Sequence, residues 1–252
     1  MIVAFLQART DSTRLPNKVL KPILRKPMII HQLERTSRSS KIDKLILLTS
    51  DEPNDDKLSN TVEEYGFNLF RGSKDNVLER FYCCAKSLKL NSDDIIVRLT
   101  GDCPVHDSDI IDELIEAYQN SKVDYMANCV EPIYPDGLDV EVFSFRALEE
   151  AYTQARKISQ KEHVTPYIRE SSTFVSKDLE GDKVYPQWRL TVDEPSDFEV
   201  VEKIYQYFNN NTFSFKEMVS FLEKHPKILT TNSTINRNEG YLKSLNEDLK
   251  ED

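Results

Sequence analysis

Glycine is scarce in this chain, six residues in 252, about a third of the usual frequency of about 7 %. A loop that cradles phosphates through glycine backbone is therefore not expected. Neither G-x-x-x-x-G-K-[ST] nor G-x-G-x-x-G occurs, which weakens both the P-loop NTPase and the Rossmann dehydrogenase readings. Cysteine is equally sparse. Cys83, Cys84, Cys103 and Cys129 form no C-x-x-C pair, and with only four histidines no zinc template fits, so disulfides and structural zinc are not expected. No G-x-S-x-G or Ser-His-Asp order supports a hydrolase. Long apolar runs are missing too: Ile2 to Leu6 leads straight into charge, far short of the roughly 18 to 20 residues of a membrane helix, and without the features of a secretory leader. The expectation is a cytoplasmic protein with no membrane partner.

Positive charge is in deficit, 33 Lys and Arg against 43 Asp and Glu, a net −10. A general nucleic-acid binder needs a basic face, so nucleic acid is not an expected partner. The deficit is uneven, however. Up to Lys41 there are nine basic residues against two acids, leaving 24 against 41 for the rest. A basic head on an acidic body points to a local anion site.

What is present alternates. Apolar runs Ile2–Leu6, Leu45–Thr49, Phe67–Phe70 and Asp94–Leu99 read as strands. Helical patterns lie between them: MIIHQLERTSRS after Pro27, a helix placing Leu58, Val62 and Tyr65 on one face, one capped by Asp75 burying Val77, Phe81, Cys84 and Leu88, and one from Asp109 burying Ile110, Ile111, Leu114, Ile115 and Tyr118. This predicts an α/β fold with a mostly parallel central sheet covered on both faces. Beyond Asp124 the pattern loosens into short strands (DYMAN, DVEVFSF, WRLTV) between helices at 146–154, 161–169 and 195–208, and a last helix at 216–224. Residues 1–228 read as one domain and 229–252 as a polar C-terminal tail, loosely docked or disordered.

The chemistry concentrates after the first strand. QARTDSTRLPNK presents Arg9, Ser12, Arg14 and Lys18, with Pro16 stiffening the turn, where ligands gather in open α/β sheets. Guanidinium forks and a compact ammonium suit the roughly four negative charges of a triphosphate. Two later stretches, LTGDCP and LTVDEP, each end an apolar run in an aspartate, Asp102 and Asp193. Two such carboxylates can share one Mg²⁺ with phosphate oxygens and water. Asp197 is a weaker third candidate or a helix-terminal charge. YPDGLDVE is either an ordinary turn with exposed acids or an acceptor-facing segment. Cys103 reads as a small buried residue, His163 as structural or substrate-orienting, and Arg80 and Arg98 as salt-bridge or ligand residues.

Taken in order, QARTDSTRLPNKVL, KPMIIHQLER, FRGSKDNVLERF, VRLTGDCPV, YPDGLDVEVFS, KEHVTPYI, RLTVDEPSDFEVV and RNEGYLKSL resemble the cytidylyltransferase superfamily, most closely its spore coat polysaccharide biosynthesis protein SpsF branch, related to Kdo and sialic-acid cytidylyltransferases. The resemblance implies a glycosyltransferase-A-like, Rossmann-like three-layer α/β/α nucleotidyltransferase domain. It implies nucleotide binding by Gln7, Ala8, Arg9, Ser12, Arg14, Lys18, Arg71, Arg80 and Thr100, and Mg²⁺ on Asp102 and Asp193. Arg14, Lys18 and Asp102 would carry catalysis, and Asp136, Gly137, Asp139, Glu141, His163 and Arg189 the acceptor side. Family loops read L-P-G-K and G-K-P where this chain has Asn17 and Arg25; asparagine tolerates the left-handed backbone that glycine would supply there.

The implied reaction joins a nucleoside triphosphate, CTP by branch, to a small anionic sugar-type acceptor with release of pyrophosphate, giving a CMP- or CDP-linked precursor for surface glycan; a homodimer is expected. The alternatives are a glycosyltransferase of the same general fold, whose usual D-x-D is here T-G-D, and a catalytically silent binding subunit.

Overall fold

The computed structural model describes residues 1–251. Strands β1 (Ile2–Gln7), β4 (Lys44–Ser50), β5 (Asn68–Gly72) and β6 (Ile95–Thr100) lie side by side and parallel in the order β5-β4-β1-β6. The runs of β1, β4 and β6 are almost continuously apolar because helices cover both faces of a parallel sheet, whereas β5, at the sheet edge, is only partly buried. The sheet continues beyond β6 through β8 (Glu141–Ser144) and β7 (Tyr125–Ala127) to β9 (Ser176–Asp178), with β8 antiparallel to both neighbours and β7 parallel to β9.

Alternation along each strand builds the layers. Ala4 and Leu6 face one way, into a core shared with Ile30 and Leu33 of α1 (Met28–Thr36), Ile111 and Leu114 of α4 (Ser108–Gln119), and Val200 and Ile204 of α8 (Pro195–Phe208). Leu58 and Val62 of α2 (Asp56–Glu64) join it. Val3 and Phe5 face the other way, onto Phe81 of α3 (Val77–Ser87) and Leu148 of α5 (Phe145–Gln154). The result is the expected three-layer α/β/α arrangement.

Several local expectations are refined. Tyr65 lies just past α2, exposed, and is not part of its buried face. Asn76, not Asp75, caps α3, its side chain accepting from Glu79 N at 3.0 Å, and Leu88, just past that helix, is only partly buried. WRLTV makes only an isolated bridge, Arg189 to Asp136, because the chain there must reach the end of β6 and cannot run alongside a strand. The helix expected over 161–169 is two: α6 (Ile158–His163) and α7 (Pro166–Glu170), broken at Val164, whose φ is +69°, and by Pro166, which starts a new helix.

The segment read as a tail is also structured. After α9 (Phe215–Lys224) a 3-10 turn, Pro226–Thr231, leads to α10 (Glu239–Glu251), which packs on α6, with Ser159 N donating to Asp248 at 3.0 Å. Composition misleads here because this helix buries polar partners and few apolar ones.

Left-handed backbone appears where the sequence lacks the expected glycines. Asn17 has φ +57°. Leu24 (φ +46°) and Arg25 (φ +66°) form the two-residue loop of a small hairpin, β2 (Pro22–Ile23) and β3 (Lys26–Pro27), a geometry that requires positive φ at both positions. No helix among the described residues is long and apolar enough to cross a membrane.

Candidate active site

The loop after β1 is fixed at both ends. Ala8 N bonds Leu48 O at 3.0 Å, and Thr10 donates backbone N–H and hydroxyl to buried Asp55 at 2.8 and 2.7 Å. Asn17 N reaches back to Thr10 O at 3.0 Å, and the 3-10 turn Lys18–Leu20 follows, burying Lys18. Asp55 carries no signal in the sequence beyond being a turn acid, yet it anchors the loop that carries Arg9, Ser12 and Arg14.

Two distant strand ends converge on Lys18. Gly101 N bonds Gln7 O at 2.7 Å, drawing the tip of β6 against β1 so closely that a Cβ on Gly101 would stand 2.6 Å from that of Ala8. Asp102 O then accepts from Val192 N at 2.7 Å, docking the segment that carries Asp193. In consequence Lys18 Nζ lies 2.8 Å from Asp193 Oδ1, 3.4 Å from Asp102 Oδ2 and 2.7 Å from Val192 O. Burial alone would lower the Lys18 pKa, but Asp102 and Asp193 together hold it above its ordinary value. Burial likewise favours protonating Asp102, yet Lys18 and hydrogen bonds from Thr100 and Cys103 bring its pKa down to about 2. Both groups stay charged at neutral pH.

Asp193 Oδ2 is shared by Arg14 at 3.2 Å and Arg189 at 3.0 Å. Arg189 is held in turn by Asp136 at 2.8 Å and fully buried Asp197 at 2.9 Å. Asp197 also accepts from the N–H groups of Asp193 and Glu194, both at 3.0 Å, so it orients this corner.

Two adjoining chambers open around this cluster. The larger, about 880 Å³, is lined by Gln7, Ala8, Arg9, Ser12, Arg14, Lys18, Arg80, Thr100, Asp102, His163 and Asp193, together with Lys74 and, from α10, Glu239, Lys243 and Ser244. Arg80 is almost wholly buried, its pKa brought down to about 10 by burial and by Arg9, and it donates to Ser73 O and Lys74 O. The smaller chamber, about 400 Å³, shares Arg14, Arg98, Asp102, His163 and Asp193 with the first and adds Asp136, Asp139, Glu141, Arg169 and Arg189.

In the smaller chamber burial, reinforced by Asp136 and Glu141, outweighs Arg237 and pushes Asp139 up to about 7. Arg237 NH2 pairs with Asp139, fastening the C-terminal segment to this wall. Glu141 is buried and fully engaged: it accepts from Arg98, from Tyr125 OH at 2.6 Å and from Thr165 Oγ1 at 2.6 Å, and stays ionised below its ordinary range because Arg98 offsets the cost of burial. His163 Nε2 stands 3.0 Å from Ser244 Oγ, and burial with nearby Arg98 lowers its pKa to about 4. It is a neutral imidazole at pH 7. Burial pushes the Cys103 thiol up, so it is an inert packing residue beside Asp102.

Of the residues picked from sequence, Arg71 and Gly137 line neither chamber. Arg71 instead donates to Ser50 O at 2.9 Å and Glu52 O at 2.8 Å and pairs with Asp56. Gly137, at φ +105°, lets its loop touch the Leu190–Thr191 backbone, where a Cβ would come within 2.5 Å. Asp197, the weaker metal candidate, is fully buried behind Arg189 and lines neither chamber; the remaining candidates face one or both. Arg98, read from sequence as a salt-bridge or ligand residue, is both, pairing with Glu141 at the chamber wall; sequence reasoning passed over Arg169, and it took the α10 segment RNEGYLKSL as a family stretch without placing it at the site.

Asp102 and Asp193 form a hard, all-oxygen donor pair of the kind Mg²⁺ takes when phosphate oxygens and water complete its shell. No group of three or more His, Cys, Asp or Glu able to hold a metal occurs among the described residues, so substrate oxygens are required for such a site. Asp102 is the freer partner, since both oxygens of Asp193 already face cations.

A family model described as cytidylyltransferase matches residues 3–227. The chain is 35 % identical over 237 residues to an uncharacterised protein of Methanocaldococcus jannaschii, covering 93 % of this chain and 95 % of that one. It is 33 % identical over 244 residues to the spore coat polysaccharide biosynthesis protein SpsF of Bacillus subtilis, covering 91 % and 97 %. A solved cytidylyltransferase structure from Leptospira borgpetersenii superposes with a TM-score of 0.85 at 30 % identity, covering 94 % of this chain and 99 % of that one.

Proposed function

The chain belongs to the cytidylyltransferase family, and from that premise we propose that it transfers CMP from CTP to a small anionic sugar-type acceptor, releasing pyrophosphate. The observation that carries the reading is the meeting of Arg14, Lys18, Asp102 and Asp193 at the junction of two chambers. The larger chamber has the volume and the cations for a nucleoside triphosphate; the smaller one, mixed in charge, suits the acceptor.

In this reading Arg9, Arg14 and Lys18 neutralise the β- and γ-phosphates. Asp102 and Asp193 would hold Mg²⁺, which would supply charge neutralisation to the triphosphate. Lys18, paired with both carboxylates, holds them in position. The acceptor lies against Asp136, Asp139 and His163, and an acceptor oxygen that is already anionic needs no strong general base. Catalysis is then alignment plus electrostatic stabilisation of the charge that develops as pyrophosphate leaves. The relative named for spore coat polysaccharide biosynthesis supports a product destined for surface glycan.

The reading is tested by thermal-shift titration with CTP, UTP, GTP and ATP plus Mg²⁺. CTP should stabilise the protein most. Equal response to all four, or to none, contradicts the assignment.

A further inference from the structure

Four cationic side chains line the smaller chamber: Arg14, Arg98, Arg169 and Arg189. Three are committed, Arg14 to Asp193 at 3.2 Å, Arg98 to Glu141 and Arg189 to Asp136 at 2.8 Å. Arg169 alone has no carboxylate within 4 Å among the described residues. Its guanidinium lies over the ring of Tyr241, 5.3 Å from the centroid. Tyr241 also lines this chamber, and its hydroxyl donates to Glu170 at 3.2 Å. Stacking holds a guanidinium plane without using its donors. The acid best placed to neutralise it, Glu141, is already taken by Arg98, Tyr125 and Thr165.

We propose that Arg169 is the acceptor's anion hook: a stacked, unpaired guanidinium at the wall of the smaller chamber that binds a carboxylate or a phosphate-type group of the acceptor and so selects charged over neutral sugars. The assignment rests on the cytidylyl-transfer reading, since it takes the smaller chamber as the acceptor's. A partly buried guanidinium with free donors gains most from an oxyanion that can accept two parallel N–H bonds. Asp136 and Asp139, which line the same chamber and are paired with Arg189 and Arg237, suit hydroxyl groups of the acceptor.

The experiment maps arginine modification by phenylglyoxal with mass spectrometry, on the full chain saturated with CTP and Mg²⁺. Acetate, representing a sugar acid, and methylphosphonate, representing a phosphate or phosphonate, serve as separate protecting probes. Arg169 should react faster than ion-paired Arg98 and Arg189, and one probe should protect it, identifying which oxyanion it takes. In parallel, R169Q and R169K are compared with the parent on whichever of a set of sugar acids, sugar phosphates and phosphonates releases pyrophosphate from CTP. R169Q should raise KM for that acceptor about 10- to 100-fold, the loss expected of a charge-assisted hydrogen-bonded contact, with R169K intermediate and the KM for CTP unchanged. Arg169 left unprotected by both probes, or an acceptor KM unmoved in R169Q, overturns the proposal. If Arg9 and Arg14 react equally in parallel maps with and without CTP, the cytidylyl-transfer reading fails instead, a different signature.

Discussion

Lys18 Nζ touches both Asp102 and Asp193, at 3.4 and 2.8 Å, although 84 and 175 residues separate them in the chain. The contact joins the end of the first strand's loop to the tip of β6 and to the turn before α8. It is the point at which three distant pieces of sequence become one site.

Replacing that lysine should therefore be costly to catalysis. Lys18→Gln leaves two carboxylates facing each other without their shared cation and removes one phosphate contact. Loss of a transition-state charge contact is worth about 10² to 10³ in rate, and kcat with CTP should fall by that factor. Steady-state pyrophosphate release checks it; a change of only a few-fold counts against the role.

Asp102→Asn tests the metal side. Turnover at saturating Mg²⁺ should drop about 10² to 10³-fold, and the Mg²⁺ concentration for half-maximal rate should rise. Turnover near the parent's would remove Asp102 from the metal site.

The protein's acid stability follows from two histidines: partly buried His163 of the site and buried His106, which lies against Gln32 and the carbonyl of Asp139. His163 and His106 are each lowered to about 4, His163 by burial and then Arg98, His106 by burial. The unfolded chain binds those protons from about pH 6.5 downward, so stability is lost as pH falls from 6.5 toward 4. Asp139, pushed up to about 7, has the opposite sign: its proton is bound more tightly in the folded state and offsets part of the loss. Midpoint temperatures measured from pH 7 to 4 should fall, and fall more steeply in Asp139→Asn. A flatter profile in that variant contradicts the shift.

Much of this was legible in the sequence, for physical reasons. Strands β1, β4 and β6 are buried on both faces and so read as apolar runs. Asp102 and Asp193 stand out because each ends such a run before a proline. The wall from Arg237 to Ser244 was legible only as the family-like stretch RNEGYLKSL, not as a docked helix, because its contacts, Arg237 to Asp139 and His163 to Ser244, are polar and distant, and polar composition alone resembles a free end. Arg71 misled because it shares a stretch with residues that do face the cleft; its strand is at the sheet edge and its donors turn back to Ser50 and Glu52.

Glu239, at the start of α10, pairs with Arg14 at 3.1 Å on the phosphate side of the cleft. A triphosphate must displace or oppose it. Both side chains are well exposed, so the pair is weak. Glu239→Gln should lower the KM for CTP about two- to five-fold, with kcat little changed. A raised KM would instead make Glu239 part of the nucleotide's binding surface.

Gly137→Ala should be destabilising far beyond its size. The position combines φ +105° with a Cβ 2.5 Å from the Leu190–Thr191 backbone, and that backbone leads to Asp193. Strain of this kind costs about 1 to 3 kcal/mol, visible as a midpoint several degrees lower by calorimetry. An unchanged midpoint would show that the loop yields freely.

The most direct test is pyrophosphate release from CTP by the whole protein with Mg²⁺ and a set of anionic sugar-type acceptors, with the nucleotide product identified by mass. The account predicts CTP-dependent pyrophosphate in equal amount to a new CMP-linked acceptor, abolished together in Lys18→Gln. Transfer of a sugar from a sugar nucleotide, or release of orthophosphate in place of pyrophosphate, would contradict it.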